Sequence, residues 1–177
     1  SLIEVSLANR GAAAGDAELT AMQLTGVVNE ASHSVDFKLH ALAQVTDTVD
    51  ARLRVLSGRA ALNGAAAGDG WHIELVKAGN GYAYALVFEK KGAVPVDLGF
   101  TAAVREQGDW RSLDFQMPAG TVVPVTLTGF SGGVEFDPSA SVVPEKTAAG
   151  WQGFLPASGN AWTGWKSTRD AGEIGIA

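Results

Sequence analysis

Residues 71–88 read WHIELVKAGNGYAYALVF, two runs of alternating side chains on either side of a turn. Alternation with a period of two is the pattern of a half-buried β-strand. The Asn-Gly pair at residues 80–81 tolerates the positive φ angles of a tight hairpin turn. We therefore predict a β-hairpin in which Trp71 faces Phe88. Residues 82–88 are apolar on both faces, which predicts a central strand for the second arm.

Three further alternating runs follow this hairpin, at residues 94–104, 113–117 and 123–127. Short turn-rich segments separate them, and strands that follow one another in sequence usually pair. We therefore predict that residues 71–128 form one antiparallel meander. Pro124 has no backbone N–H to donate, so we expect its strand to be an edge strand or a bulged one.

A second pair of alternating runs precedes the hairpin, at residues 35–45 and 49–55. The polar segment between them predicts a turn about Asp47. Pairing the two runs across that turn buries both apolar faces on the same side. It also places His40 and Arg54 on the solvent-facing side of the predicted hairpin.

These patterns together predict an all-β fold, an antiparallel β-sandwich of two sheets with about eight to ten strands, jelly-roll-like or related. We expect residues 1–177 to form one domain, with regular strands mainly over 17–137 and a short first strand near 3–7. Residues 138–177 are rich in glycine, proline and tryptophan. We expect them to form an irregular tail that packs on the sandwich. The rhythm of residues 35–128 resembles that of bacterial envelope sandwich modules.

Composition restricts the possible functions. The chain has 177 residues, a formal net charge of −6, 22 glycines and no cysteine. The net negative charge gives no overall basic footprint, so binding of nucleic acid through phosphate neutralisation is disfavoured, and a chain without cysteine forms neither disulfides nor thiolate metal sites. No apolar run reaches the ~20 residues of a membrane-spanning helix, so we expect no membrane insertion by this segment. No cofactor or metal motif stands out.

The sequence gives little support for catalysis. The only histidines are His33, His40 and His72, and no serine lies in a Gly-x-Ser-x-Gly motif. His72 is placed to face Glu89 across its hairpin, and a cross-strand ion pair explains that arrangement without catalysis. We therefore predict that the protein is not an enzyme.

Glycoside chemistry remains as an alternative, because it needs two carboxylates held at about 5 to 9.5 Å. Asp109 with Asp114, or Glu135 with Asp137, are the candidate pairs. Such pairs also arise by chance in an acidic protein.

Tryptophan is the most informative residue type for binding. Trp110 is predicted to point away from the core, and sugar rings stack on exposed indole faces while neighbouring polar groups bind their hydroxyls. The competing interpretation is that the tryptophans are buried at the ends of the sandwich, because tryptophan is usually mostly buried. The candidate ligand-binding residues are Asp109, Trp110, Trp151, Asn160, Trp162 and Trp165.

We therefore predict a non-catalytic interaction or scaffolding module, excised from a larger bacterial envelope protein and located outside the cytoplasm. Its expected partner is a protein or a polysaccharide. The first alternative is a carbohydrate-binding module that uses exposed tryptophans, and the second is a glycan-active enzyme domain. The oligomeric state stays open.

Overall fold

A computed structural model describes residues 13–118 and 120–168 of the chain. Every regular element in those residues is a β-strand, and ten of the sixteen strands have six or more residues. The predicted strand at residues 3–7 lies outside the described residues. The strands are β1 (Ala13–Ala14), β2 (Ala17–Asn29), β3 (Ser34–Val45), β4 (Arg52–Gly58), β5 (Ala60–Leu62), β6 (Ala67–Gly68), β7 (Trp71–Ala78), β8 (Gly81–Phe88), β9 (Gly92–Ala103), β10 (Arg105–Gln107), β11 (Trp110–Gln116), β12 (Val123–Thr128), β13 (Val134–Phe136), β14 (Glu145–Thr147), β15 (Gly150–Leu155) and β16 (Asn160–Ser167).

The strands form two sheets. Sheet A has the order β14-β15-β12-β2-β3-β9-β5, and β1 pairs with β2. Sheet B has the order β13-β16-β11-β4-β8-β7-β6, and β10 pairs with β11. Among the described strands the pairing is antiparallel except between β2 and β12. The prediction of an all-β antiparallel sandwich is confirmed.

The core lies between the sheets and is built from the inward side of each alternating strand. Three phenylalanines join the two layers, with ring centroids of Phe37 and Phe100 5.1 Å apart and each 5.3 Å from that of Phe115. Phe37 and Phe100 belong to sheet A, whereas Phe115 belongs to sheet B. Such pairs contribute about 0.5–1.5 kcal/mol each beyond the burial of their area.

The hairpin of residues 71–88 forms in the predicted register. Trp71 faces Phe88 across β7 and β8, and both side chains are buried. Strand β8 lies between β7 and β4, so its predicted central position is confirmed. Near the turn the same hairpin extends past the core, and Leu75 and Tyr82 are exposed.

The predicted meander over residues 71–128 is wrong beyond the hairpin. After β8 the chain crosses to sheet A for β9, returns to sheet B for β11 and crosses again for β12. Alternation determines which face of a strand is apolar, but in a sandwich either sheet can bury that face. The pattern was therefore compatible with both the meander and the crossings.

The predicted hairpin about Asp47 is also wrong. Strand β3 pairs with β2 and β9 in sheet A, whereas β4 pairs with β8 and β11 in sheet B. The backbone N–H of Asp16 donates to the Asp50 carbonyl at 3.0 Å, and the Asp16 carboxylate accepts from the Asp50 N–H at 3.0 Å. These bonds fix the segment that connects β3 in sheet A to β4 in sheet B. His40 consequently pairs with Asp97 and not with Arg54.

Strand β12, which contains Pro124, is an interior strand with a continuous register to both neighbours, contrary to the prediction of an edge or bulged strand. It lies between β15 and β2. Its ladder with β2 begins at Val125, one residue after the proline. Pro124 therefore sits outside that ladder, where the missing N–H is tolerated.

The predicted irregular tail over residues 138–177 is corrected for its described part. Residues 138–168 contain three strands, β14, β15 and β16. Strand β16 pairs with β11 and β13, while β15 pairs with β12 and β14. Gly153 and Gly164 lie inside two of these strands and interrupt the apolar alternation, so the sequence pattern did not predict the strands.

Candidate functional site

A groove of about 470 Å³ runs over the outer face of sheet B. It lies over the adjacent strands β10, β11 and β16, and residues that directly follow β4 and β13 also line it. The lining side chains that carry charge or an aromatic ring are Arg59, Arg105, Trp110, Arg111, Asp114, Asp137 and Trp162.

The floor of the groove is formed by small residues. Ser112 on β11 lies directly opposite Gly164 on β16. A Cβ atom at Gly164 would lie 3.6 Å from both the Arg111 carbonyl oxygen and the Asp137 Cβ, which is ordinary van der Waals contact. The backbone therefore tolerates a side chain at this position, and the absence of one leaves the groove open.

A tryptophan lies toward each end of this floor. Trp162 is opposite Asp114 in the β11–β16 pair, four residues along β11 from Trp110. At ~3.4 Å per residue, the two positions are about 13 Å apart along the strands. Both indoles are half-buried, and both line the groove.

Lys166 covers part of Trp110. Its Nζ lies 5.1 Å from the centroid of the indole ring, within the range of a cation–π contact. The same ammonium lies 3.6 Å from Glu135 Oε2 on the neighbouring strand. One face of Trp110 is therefore partly covered by a cation, whereas no cation–π contact is found for Trp162 among the described residues.

Asp137 is held in place as an ionised carboxylate. Its backbone N–H donates to the Gly164 carbonyl at 2.8 Å, and its Oδ1 accepts from the Ser139 N–H at 2.9 Å and the Ser139 Oγ–H at 2.7 Å. These bonds from Ser139 lower the pKa of Asp137 below its usual value. An ionised carboxylate accepts hydrogen bonds from hydroxyl groups, whereas it has no proton to give as a general acid.

The six candidate residues from the sequence do not form one site. Trp110 and Trp162 both line the groove, whereas Asp109 lies in the turn before β11 and is not among the lining residues. Asn160 is exposed on β16, where its side-chain oxygen accepts a hydrogen bond from the Gln116 amide.

The other two tryptophans pack inside the protein. Trp165 is 2% exposed and lies in the core, with its ring 5.6 Å from that of Phe130. Trp151 is half-buried, with its ring 5.0 Å from that of Phe136 and the Lys146 Nζ above it. The interpretation of these two tryptophans as structural is the one that the packing supports.

Sequence reasoning did not place Arg59, Arg105 or Asp137 in the groove, although Asp137 belongs to one of the predicted carboxylate pairs. Arg59 and Asp137 follow β4 and β13 and reach β11 and β16 through long-range backbone contacts, whereas Arg105 on β10 lies opposite Ser112 in the local β10–β11 pair. The carboxylates that share the groove are Asp114 and Asp137, one from each of the two pairs predicted from sequence.

His72 makes the predicted contact with Glu89. Its Nδ1 lies 2.6 Å from Glu89 Oε1, and its Nε2 lies 3.1 Å from Glu74 Oε1. The carboxylates of Glu74, with the larger effect, and Glu89 accept hydrogen bonds from the His72 ring and so raise the pKa of His72. This cluster lies on β7 and the end of β8, and none of its residues lines the groove.

Among residues 13–118 and 120–168, no three histidine, aspartate or glutamate side chains are grouped as a metal site. The same residues contain no helix of the length and apolar character needed to cross a membrane. No protein-family model matches the chain, and a search of curated proteins finds no relative.

Proposed function

We propose that this protein is a non-catalytic binding module that holds an oligosaccharide in the groove on sheet B. The observation that supports the proposal is the pairing of Trp110 and Trp162 with polar side chains across an open floor at Gly164. Aromatic rings and converging polar groups on one concave surface are the usual composition of a small-ligand site.

The chemistry of sugars matches this lining. A pyranose ring has an apolar face that stacks on an indole and a rim of hydroxyls that need hydrogen-bond partners. Trp162 supplies the stacking surface, and the carboxylates of Asp114 and Asp137 supply acceptors beside it. Because the indoles sit on paired strands, little side-chain entropy is lost when the ligand binds.

The length of the groove favours an oligomer over a single ring. The tryptophan positions are about 13 Å apart along the strands, and the groove volume of about 470 Å³ is within the range of sites for extended small ligands. We infer that one sugar unit stacks on Trp162 and that the oligomer extends over Ser112 and Gly164 toward Trp110.

A titration with neutral and acidic oligosaccharides, followed by calorimetry and tryptophan fluorescence, tests this function. We expect saturable binding that is lost in Trp162→Ala and in Gly164→Val. The valine fills the floor without removing any polar group. Phe154→Ala is the matched control, because this aromatic residue is 63% exposed on sheet A, away from the groove. Binding that survives Gly164→Val, or no binding by the wild type, overturns the proposal.

The same samples test the enzyme alternative. Release of new reducing ends by the wild type, abolished in Asp114→Asn, would replace a binding module with a glycan-active enzyme. We expect no release, and the hydrogen bonds from Ser139 that lower the pKa of Asp137 disfavour this residue as the general acid.

A protein-interaction or scaffolding module of an envelope protein is the second candidate. It is favoured by Leu75 and Tyr82, which are 64% and 69% exposed on one face of the β7–β8 hairpin. Exposed aromatic and aliphatic side chains are enriched where proteins meet. Sedimentation of the wild type and of a Leu75→Ser, Tyr82→Ser variant tests self-association through this surface. A concentration-dependent dimer lost in the variant supports it, whereas equal monomeric sedimentation contradicts it.

A further inference from the structure

We infer that the ligand of the groove is an acidic oligosaccharide, whose anionic substituent is bound by Arg59 and Arg105. The substituent is a carboxylate or a sulfate. The inference rests on the proposed function and narrows its ligand class. It depends on how charges are distributed around β11, a property that is independent of the tryptophans.

The groove lining carries three arginines and two aspartates, an excess of one positive charge, although the chain as a whole has a formal net charge of −6. Of these arginines, only Arg111 has a carboxylate partner among the described residues, with its Nε donating to Glu106 Oε1 at 3.2 Å. Within residues 13–118 and 120–168, neither Arg59 nor Arg105 forms an ion pair. In this part of the chain, the guanidinium groups of Arg59 and Arg105 therefore have no carboxylate partner and are placed to bind the anionic group of a ligand.

The two arginines flank β11 on the side away from β16. Arg105 lies opposite Ser112 in the β10–β11 pair. The backbone N–H of Arg59 donates to the Asp114 carbonyl at 3.4 Å, and the Arg59 carbonyl accepts from the Ala103 N–H at 3.0 Å. The backbones of both arginines are thus attached to the sandwich, and we refer to this side as the basic wall.

The opposite side of the groove carries Trp162 and Asp137. A ligand is therefore oriented by charge, with its anionic group toward the basic wall and its hydroxyls toward the ionised Asp137. Guanidinium groups form paired, charge-assisted hydrogen bonds with carboxylate and sulfate oxygens. A neutral sugar would leave both guanidiniums without such partners, so the acidic oligomer is favoured.

The test compares three forms of one hexose oligomer by calorimetry: neutral, oxidised at C6 to uronates, and sulfated at O6. We expect at least one acidic form to bind about tenfold or more tightly than the neutral one. That advantage should disappear in Arg59→Gln, Arg105→Gln and shrink as salt is added. Whichever acidic form binds more tightly identifies the substituent. Arg54→Gln is the matched control, since this arginine is exposed on β4 outside the groove lining.

The possible outcomes distinguish this inference from the proposed oligosaccharide-binding function on which it rests. Equal binding of the neutral and acidic forms, lost in Gly164→Val, overturns the inference and leaves the oligosaccharide-binding function in place. No binding of any form overturns both. Arg59 is half-buried, so its replacement could disturb folding. Arg105 is exposed, and the single variant Arg105→Gln therefore provides a second test of the inference. An unchanged preference for the acidic forms in a folded Arg105→Gln variant also contradicts the inference.

Discussion

Asp114 and Trp162 lie directly opposite each other across β11 and β16, so a carboxylate and an indole face the same groove from neighbouring strands. A sugar stacked on this indole would have its hydroxyls beside the carboxylate. The pair also shows how the site is assembled, since 47 residues of sequence separate its members and antiparallel pairing brings them together.

Replacement of Asp114 by asparagine should weaken binding of the neutral oligomer about tenfold, the order expected when a hydrogen bond to a charged group is lost. The substitution keeps the size of the side chain, so we expect no change in the far-ultraviolet spectrum. Asp109→Asn is the matched control, because Asp109 is exposed in the adjacent turn and outside the groove lining. Calorimetric titration of both variants would contradict the assignment if they lost affinity equally.

Local pairing was predictable from the sequence, whereas the crossings between sheets were not. Trp71 and Phe88 face each other because one turn of known chemistry sets their register. Val125 instead pairs with Leu24 in the parallel β2–β12 ladder. Nothing in the alternation around Val125 distinguishes that distant partner from the preceding strand β11, because both present the same apolar period.

The candidate site was only half predictable for the same reason. Trp110 could be assigned to the outward face, since it alternates with the inward residues Leu113 and Phe115 on β11. Its neighbours in the groove come from β10, β11 and β16 and from the residues that follow β4 and β13. The backbone of Arg59 bonds to that of Asp114, a long-range contact that a single sequence does not reveal.

Replacement of Thr163 by valine should stabilise the protein by about 1 kcal/mol, which raises Tm by about 2–4 °C. The Thr163 hydroxyl is buried, finds no hydrogen-bond partner among the described residues and borders a small cavity of about 20 Å³ with otherwise apolar lining. Valine has nearly the same shape and removes the unsatisfied group. Thr20→Val is the matched control. Thr20 Oγ1 donates to the Leu42 carbonyl at 3.0 Å, so the same change there should destabilise. Thermal unfolding checks both signs, and a lower Tm for Thr163→Val would contradict the argument.

The stability of the protein should fall as pH rises above about 6.5, in part because of His72. Glu74 and Glu89 raise the pKa of His72 in the folded state above its value in the unfolded chain. The stabilisation is therefore fully present below the unfolded pKa and is lost as pH rises through the folded one. The hydrogen bond from His72 and then Arg52, whose Nη2 binds Glu74 Oε2 at 2.7 Å, lower the pKa of that carboxylate. Tm measured from pH 5 to pH 9 should have a shallower slope in His72→Gln, and parallel curves would contradict this origin.

Replacement of Gly26 by alanine should destabilise the protein by about 1–3 kcal/mol through overpacking. Gly26 pairs with Phe37 on one side and with Leu127 on the other. An added Cβ would lie 2.6 Å from Phe37 Cε1 and 2.9 Å from Leu127 Cδ2. The ring of Phe37 is held by Phe100 and Phe115, so it has little room to move. Chemical denaturation measures the loss.

Gly132→Ala provides the control for that change, because nothing lies within 4 Å of an added Cβ at this exposed position. Its stability should stay within about 0.5 kcal/mol of the wild type, as is usual for surface substitutions. An equal loss in both variants would mean that the effect arises from the removal of glycine itself and not from the contact with Phe37. A loss confined to Gly26→Ala would show that the close approach of Phe37 and Leu127 over the glycine is required where β2 pairs with β3 and β12.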